Sequence, residues 1–153
     1  MPSFVVDTPQ HTYSAVVERG VLQRLREFIP SPSGRIFVIT TPDVWLLHGS
    51  AVAAGLQALD HNVLYFPGGE PRKRLAEVEI LAERMASLGA DRSSLIIALG
   101  GGIVTDLGGL LAAIFMRGIP VIQIPPPLPA QGDPAGGGKT GVNLLEGEQL
   151  GGW

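Results

Sequence analysis

Three consecutive glycines between two apolar segments form the part of this sequence best suited to chemistry. Gly100, Gly101 and Gly102 follow an apolar run at residues 95–99 and precede another at residues 108–116. Glycine lets a backbone approach a ligand closely, and the first N–H groups of a helix, at the positive end of its dipole, attract phosphate. Asp106, four residues past the last glycine, has a carboxylate that can accept a hydrogen bond from a ribose hydroxyl. The segment therefore points to a nucleotide or another phosphorylated ligand.

The glycines alone leave two interpretations open. Thr105 stands where the dinucleotide-binding motif G-x-G-x-x-G has its third glycine, so the run is either a phosphate site or a tight turn between a strand and a helix. A second glycine-rich run at residues 133–140 imitates a P-loop. Asp133 occupies the position of that motif's first glycine and no strand precedes the run, which argues against a nucleoside triphosphatase.

Other polar residues follow apolar segments, and each has a functional and a structural interpretation. Glu70 and Lys73 come after Pro-Gly-Gly at residues 67–69; they can bind a ribose and a phosphate, or begin a solvated helix. Asp43 contacts a ligand or caps a helix. Arg117 binds an anion or complements a helix C-terminus.

Apolar periodicity predicts the elements that position these residues. Strands are expected at residues 4–7, 12–18, 35–40, 62–66, 95–99 and 120–124, and helices at 20–29, 44–59, 74–88 and 102–116. This alternation predicts an α/β fold, with an open, mostly parallel Rossmann-like sheet flanked by helices in a single domain. Ligands of such sheets bind at the carboxyl ends of the strands, so Asp43, Glu70 and the glycines should meet at one edge. Proline and glycine at residues 125–141 predict a long loop.

Composition bounds the function further. The chain has 153 residues, 45% of them apolar and 16% charged, which is typical of one globular domain. A net charge of −3 without a basic stripe argues against nucleic acid as a partner. The absence of cysteine excludes disulfides and thiolate metal sites, and no histidine has metal-ligand spacing with another. No signal peptide or membrane-spanning run is recognisable, so a cytoplasmic location is expected.

Several phrases resemble 3-dehydroquinate synthase, an enzyme of the shikimate pathway. They are Gly-Gly-Gly-Ile-Val-Thr-Asp-Leu-Gly-Gly from Gly100, Met-Arg-Gly-Ile-Pro-Val-Ile-Gln-Ile-Pro from Met116, Gly-Gly-Lys-Thr-Gly-Val-Asn-Leu from Gly137, and Gly-Glu-x-x-Lys from Gly69. The resemblance implies that residues 1–153 are the family's N-terminal NAD-binding domain, with residues 125–153 as a Pro/Gly-rich loop and truncated end.

The resemblance also implies roles for individual residues. The implied NAD-binding residues are Asp43, Gly69, Glu70, Lys73, Gly101, Gly102, Ile103, Val104, Thr105, Asp106 and Lys139. Asp133 and Lys139 would face the substrate and nicotinamide in catalysis, and Arg117 would reach a substrate phosphate. The family's zinc or cobalt is held by a glutamate and two histidines of a C-terminal helical domain, so no metal ligand is expected in this chain.

The implied activity is NAD-assisted conversion of DAHP, a phosphorylated seven-carbon sugar acid, to 3-dehydroquinate with phosphate elimination. NAD would transiently oxidise one carbinol and be regenerated, and zinc or cobalt would polarise the carbinol oxygen. The chain alone is expected to be inactive, and its implied partner is a second copy, as a homodimer, or the family's C-terminal half. Two alternatives stay open: a non-catalytic NAD- or nucleotide-binding module, and a polyol or alcohol dehydrogenase-like domain.

The sequence departs from the family pattern at the expected loop. Pro126 and Pro127 replace paired threonines, which removes two expected NAD contacts because proline has neither an N–H nor a hydroxyl. Glu148 and Gln149 replace a Lys-Asn pair, which reverses the charge where an anion is expected. NAD binding weaker than in a complete enzyme is therefore predicted.

Overall fold

The structure is a computed structural model, and it describes residues 3–7, 12–18, 21–30, 33–66, 75–125 and 140–145. Seven strands within these residues form one sheet: β1 Ser3–Asp7, β2 Thr12–Glu18, β3 Ile36–Thr40, β4 His61–Tyr65, β5 Leu95–Leu99, β6 Val121–Ile124 and β7 Thr140–Leu145. The described helices are α1 Pro42–Leu56, α2 Leu75–Ser87 and α3 Gly102–Ile114, with 3₁₀ helices at Val21–Phe28 and Phe115–Arg117. None of them is both long and apolar enough to cross a membrane.

The sheet has a parallel part and an antiparallel part, in the order β1-β2-β7-β6-β5-β3-β4. The neighbours β4, β3, β5 and β6 run parallel, and β7 joins β6 to β2 by antiparallel pairing on both of its sides. The parallel strands and their helices confirm the predicted Rossmann-like α/β fold. Strand β7 was not predicted and lies inside the segment expected to be an irregular end.

Helices cover both faces of the parallel part. On one face, α2 and α3 pack over a cluster that includes Phe37, Ile39, Ile96 and Ala98. On the other face, α1 and the Val21–Phe28 helix pack over the alternate residues of the same strands. Every residue of β3 and β5 is buried, as their continuous apolar sequences predicted.

The chain reverses direction across the sheet between β3 and β5. From β3 it passes through α1 to β4 on one side, and from β5 it passes through α3 to β6 on the other. At such a switch point the two connections separate and leave a crevice outside the carboxyl ends of the strands. The crevice lies between Thr41, which follows β3, and Gly100, which follows β5.

Three predicted helices differ in detail from the observed ones. Helix α3, expected to reach residue 116, ends at Ile114. Helix α1 begins at Pro42 rather than Val44, and Thr41 is its N-cap with φ −119° and ψ 156°. Proline suits the first helical position because its missing N–H would have no partner there, and it favours an extended residue before it. The helix expected at 20–29 is a 3₁₀ helix, interrupted at Arg24 by a φ of −107° and ψ of 16°.

Candidate functional site

The three glycines between β5 and α3, called here the glycine turn, have different surroundings. Gly100 has a φ of 155°, and its N–H donates to the carbonyl of Ile124 at 3.0 Å. A Cβ at Gly100 would lie 2.8 Å from the Cβ of Val104, so a side chain does not fit. Gly101 and Gly102 are exposed, and among the described residues no atom beyond the adjoining backbone lies within 4 Å of where their Cβ atoms would stand. Within the described part of the chain, open space therefore faces the turn at these two glycines.

Helix α3 starts at this open space. Its N-cap is Gly101, in extended conformation, and no side chain among the described residues caps it. The first N–H groups of a helix have no acceptor within the helix, and they carry the positive end of its dipole. Since they face open space, they are free to bind an anion such as a phosphate.

Four predicted contact residues follow in α3. Ile103 is half-buried, and Val104 is only 4% exposed, so Val104 can offer a ligand its backbone N–H but not its side chain. Asp106 is exposed one turn beyond Gly102. The Thr105 hydroxyl points back at the turn, 3.3 Å from the carbonyl oxygen of Gly101 and 3.2 Å from that of Gly102.

Close packing of α3 on the sheet depends on Gly108, a glycine outside the dinucleotide-binding motif. A Cβ at Gly108 would lie 2.5 Å from the Cβ of Ala98 in β5. In the dinucleotide motif the third glycine permits this kind of helix–strand contact. Here Thr105 occupies the third-glycine position, and Gly108, one turn later, takes over the packing role.

Asp43 lies across the crevice, in the first turn of α1. Its exposed carboxylate accepts a hydrogen bond from the Thr41 hydroxyl and from the N–H groups of Asp43 and Val44, which holds its pKa below the ordinary 3.8. The carboxylate thus stabilises the first turn of α1. The N-cap is Thr41, so Asp43 is not the cap that its structural interpretation predicted. Thr40 beside it is fully buried, and its Oγ1 has no hydrogen-bond partner among the described residues.

Arg117 lies at the opposite edge of the sheet from the glycine turn. Helix α3 separates the two with 13 residues, which corresponds to about 20 Å. Arg117 is exposed in a turn where Met116, Arg117 and Gly118 all have positive φ, at 49°, 69° and 111°. Within one chain, Arg117 therefore does not share a site with the glycine turn.

The remaining predicted site residues lie outside the described part of the chain. These are Gly69, Glu70, Lys73, Asp133 and Lys139. The end of β4, which precedes the first three of them, runs parallel to β3 and so reaches the same edge of the sheet as Asp43.

An open cavity of about 680 Å³ lies at the amino edge of the sheet, away from the glycine turn. Its polar lining is partly engaged, because Arg26 donates to the carbonyl of Gln57 at 3.2 Å and a ring nitrogen of His61 lies 3.0 Å from the carbonyl of Leu59. Across the described ranges, no group of three or more His, Asp or Glu is placed to hold a metal ion. The glycine turn is therefore the stronger candidate site.

The fold and the glycine turn define the class of the protein: a Rossmann-like α/β domain whose switch point suits a phosphorylated ligand. A family model described as 3-dehydroquinate synthase N-terminal matches residues 63–152. The 3-dehydroquinate synthase of Solibacter usitatus (strain Ellin6076) is 58% identical over 150 residues, which are 98% of this chain. The chain belongs to the 3-dehydroquinate synthase N-terminal family. It spans 42% of the length of that relative.

Solved structures have the same architecture. A crystal structure of 2-deoxy-scyllo-inosose synthase, complexed with carbaglucose-6-phosphate, NAD+ and Co2+, matches 81% of this chain and 35% of its own, at 27% identity and a TM-score of 0.71. Glycerol dehydrogenase from Schizosaccharomyces pombe matches 70% of this chain and 26% of its own, at 21% identity and a TM-score of 0.57. The second likeness shows the shared fold alone.

Proposed function

We propose that this chain is the NAD-binding N-terminal domain of a 3-dehydroquinate synthase. The observation that carries the proposal is the space at Gly101 and Gly102, left open by the described residues in front of the start of α3, which none of their side chains caps. The 2-deoxy-scyllo-inosose synthase that is similar over 81% of the chain forms a crystalline complex with NAD+. Family membership adds the substrate, DAHP, and the product, 3-dehydroquinate.

The backbone of the glycine turn would hold the pyrophosphate of NAD. The N–H groups of Gly102, Ile103 and Val104 belong to the first turn of α3, where helix geometry provides no acceptor for them. Asp106, exposed on the next turn, would accept hydrogen bonds from the neighbouring ribose. Thr105 would support this cradle through the hydrogen bonds of its hydroxyl.

The adenosine side of NAD would lie toward β3 and β4. Asp43 keeps an exposed carboxylate at the end of β3, and its hydrogen bonds hold its pKa below the ordinary 3.8, so it is ionised at neutral pH. Such a group can accept hydrogen bonds from ribose hydroxyls. Gly69, Glu70 and Lys73, expected after β4, complete this side of the proposed site.

Groups that act on the substrate complete the proposal. Asp133 and Lys139 would face the substrate and the nicotinamide. Arg117 lies about 20 Å along α3 from its own glycine turn. We therefore propose that it serves the substrate phosphate of a second copy in a homodimer.

The isolated chain is proposed to bind NAD without converting DAHP. When bound, NAD takes a hydride from a carbinol and later returns it, which is the chemistry that the cofactor supplies. The described residues do not fit the zinc or cobalt of the family, because they offer no cluster of three metal-ligating side chains.

Calorimetric titration with NAD tests the binding proposal. We expect saturable binding to the wild-type chain, and binding weakened roughly tenfold or more in Gly102→Ala, because the new methyl group enters the open space. Ala86→Ser, at an exposed position near the end of α2, is the control and should bind as the wild type does. NAD at about 100 times its Kd adds about 2.7 kcal/mol of stability, or roughly 5–10 °C in Tm.

The absence of both binding heat and a thermal shift when NAD is added to the wild-type chain would contradict the binding proposal. Incubation with DAHP, NAD and Zn2+ tests the second part, since release of phosphate by the isolated chain would show that it is an enzyme by itself. NAD affinity that DAHP does not alter would favour a non-catalytic nucleotide-binding module.

A further inference from the structure

Two polar side chains, those of Thr105 and Gln123, form hydrogen bonds at and next to the glycine turn. Thr105 donates its N–H to the carbonyl of Gly101 at 3.0 Å, and its hydroxyl lies within hydrogen-bond distance of the carbonyls of Gly101 and Gly102. Gln123 of β6 donates its side-chain amide to the carbonyl of Thr105 at 3.0 Å. These contacts connect the glycine turn, through Thr105, to a strand of the sheet.

The contacts of Thr105 determine where two N–H groups point. In a planar trans peptide, the C=O and the N–H of the same unit point in opposite directions. Holding the carbonyls of Gly101 and Gly102 toward Thr105 therefore turns the N–H groups of Gly102 and Ile103 away from it, to the start of α3. Glycine backbones lose more conformational freedom than others when they are ordered, so this restraint matters most at these units.

Strand β6 anchors the arrangement. Gln123 is the polar residue of a strand that otherwise reads Val-Ile-Ile, and it shares a sheet face with Val121, on the side that α3 covers. Gly109 leaves room for it, because a Cβ there would lie 3.0 Å from the Gln123 side-chain nitrogen. The next residue, Ile124, accepts the N–H of Gly100. The last two residues of β6 are thus hydrogen-bonded to Gly100 of the turn and to Thr105, which contacts the turn.

We infer that Thr105 and Gln123 are positioning residues, which orient the N–H groups of Gly102 and Ile103 toward a bound pyrophosphate. This inference rests on the proposed function for the identity of the ligand. It differs from the expectation that Thr105 contacts the cofactor, because the Thr105 hydroxyl is already directed at two carbonyls of the turn.

Three variants of the full chain test the inference. Thr105→Val removes the hydroxyl and keeps the shape, Thr105→Ser keeps the hydroxyl, and Gln123→Met removes the amide at similar volume. We expect binding of NAD and of inorganic pyrophosphate to weaken about three- to tenfold in Thr105→Val and Gln123→Met. Thr105→Ser should bind within about twofold of the wild type, as rescue by the shared hydroxyl.

Amide NMR resonances of the ligand-free chain provide the readout that a merely structural role would not move. We expect the Gly102 and Ile103 amides to shift in Thr105→Val and Gln123→Met but to return toward wild-type positions in Thr105→Ser. Amides of α2 should stay unchanged in all three variants. If Thr105→Val unfolds, Gln123→Met tests the same connection from the strand.

Three results would overturn the inference. One is wild-type affinity in both Thr105→Val and Gln123→Met. Another is an equal loss of affinity in Thr105→Ser and Thr105→Val. The third is weakened binding with unchanged Gly102 and Ile103 amides, which would mean that Thr105 contacts the ligand directly. If the wild-type chain binds neither NAD nor pyrophosphate, the proposed function fails, and the ligand-free amides still decide the positioning role.

Discussion

Gly100 and Gly101 are adjacent in the glycine turn but should respond differently to the same substitution. Gly100→Ala places a methyl group 2.8 Å from Val104 at a φ of 155°, whereas Gly101 has a φ of −68° and open space. We expect Gly100→Ala to lower the free energy of unfolding by about 1–3 kcal/mol. Gly101→Ala should leave it nearly unchanged. Urea unfolding of both variants checks this, and equal stability losses would contradict it.

The Asp43 carboxyl gives a prediction about pH. Its pKa is lowered first by the Thr41 hydroxyl and then by backbone N–H groups, so its stabilising effect is fully present above the unfolded value near 3.8 and is lost as pH falls through the folded pKa. In Thr41→Val we expect the pKa of Asp43 to rise toward 3.8. Carbon NMR titration of the side-chain carboxyl measures it. Asp91, whose pKa is lowered chiefly by Ser93, is the internal control and should not move.

The sequence predicts the bounds of those strands and helices that have a strong local pattern. The bounds of β5 were predicted without error, and β3, α2 and the start of α3 were predicted to within a residue. Apolar runs and glycines encode these elements locally. The Val21–Phe28 segment has helical apolar spacing, but periodicity does not distinguish an interrupted 3₁₀ helix from an α-helix.

Part of the candidate site was predictable for the same reason. The glycine turn and Asp43 follow apolar strands, so the sequence alone predicts that they lie at the same edge of the sheet. The direction of the Thr105 hydroxyl and the packing role of Gly108 depend on partners distant in sequence. A lone polar residue in an apolar strand, as Gln123 is, was the available signal for the support of the turn.

The contact between α3 and β5 gives a prediction at this scale. Gly→Ala inside a helix normally stabilises by about 0.5–1 kcal/mol, but a Cβ at Gly108 would lie 2.5 Å from Ala98. We therefore expect Gly108→Ala to destabilise the chain by about 1–3 kcal/mol, because α3 must move away from the sheet. Thermal unfolding measures the effect. Adding Ala98→Gly should recover part of the lost stability. If the stability changes of Gly108→Ala and Ala98→Gly simply add in the double variant, the two residues are not in the expected contact.

Across the whole molecule, β7 connects two groups of strands. It pairs with β6 on one side and with β2 on the other, and β1 pairs with β2. Local sequence could not predict β7, because Thr140–Leu145 contains glycine and asparagine, which are depleted in strands. One of its two partners, β2, is also far away in the sequence.

Proline in β7 tests this connection. Val142→Pro removes a backbone donor from a strand paired on both sides. We expect hydrogen exchange to accelerate in β1 and β2 together with β7, while β3 and β5 keep their protection. Val63→Pro in β4, a strand at the sheet edge, is the comparison and should leave β1 and β2 unchanged. Retained protection of β2 in Val142→Pro would show that β1 and β2 are held by other contacts.

The pairing of β2 with β7 also bears on how the chain folds. Tyr13 pairs with Leu145, so β1 and β2 are synthesised long before the strand with which β2 pairs. Long-range pairings of this kind slow folding, because the entropy of closing a long loop is lost before the contacts form. Meanwhile β3, β4, β5 and β6 have parallel neighbours already available. On the ribosome, the parallel part with its glycine turn can therefore assemble while β1 and β2 remain an unpaired hairpin, open to association with other nascent chains.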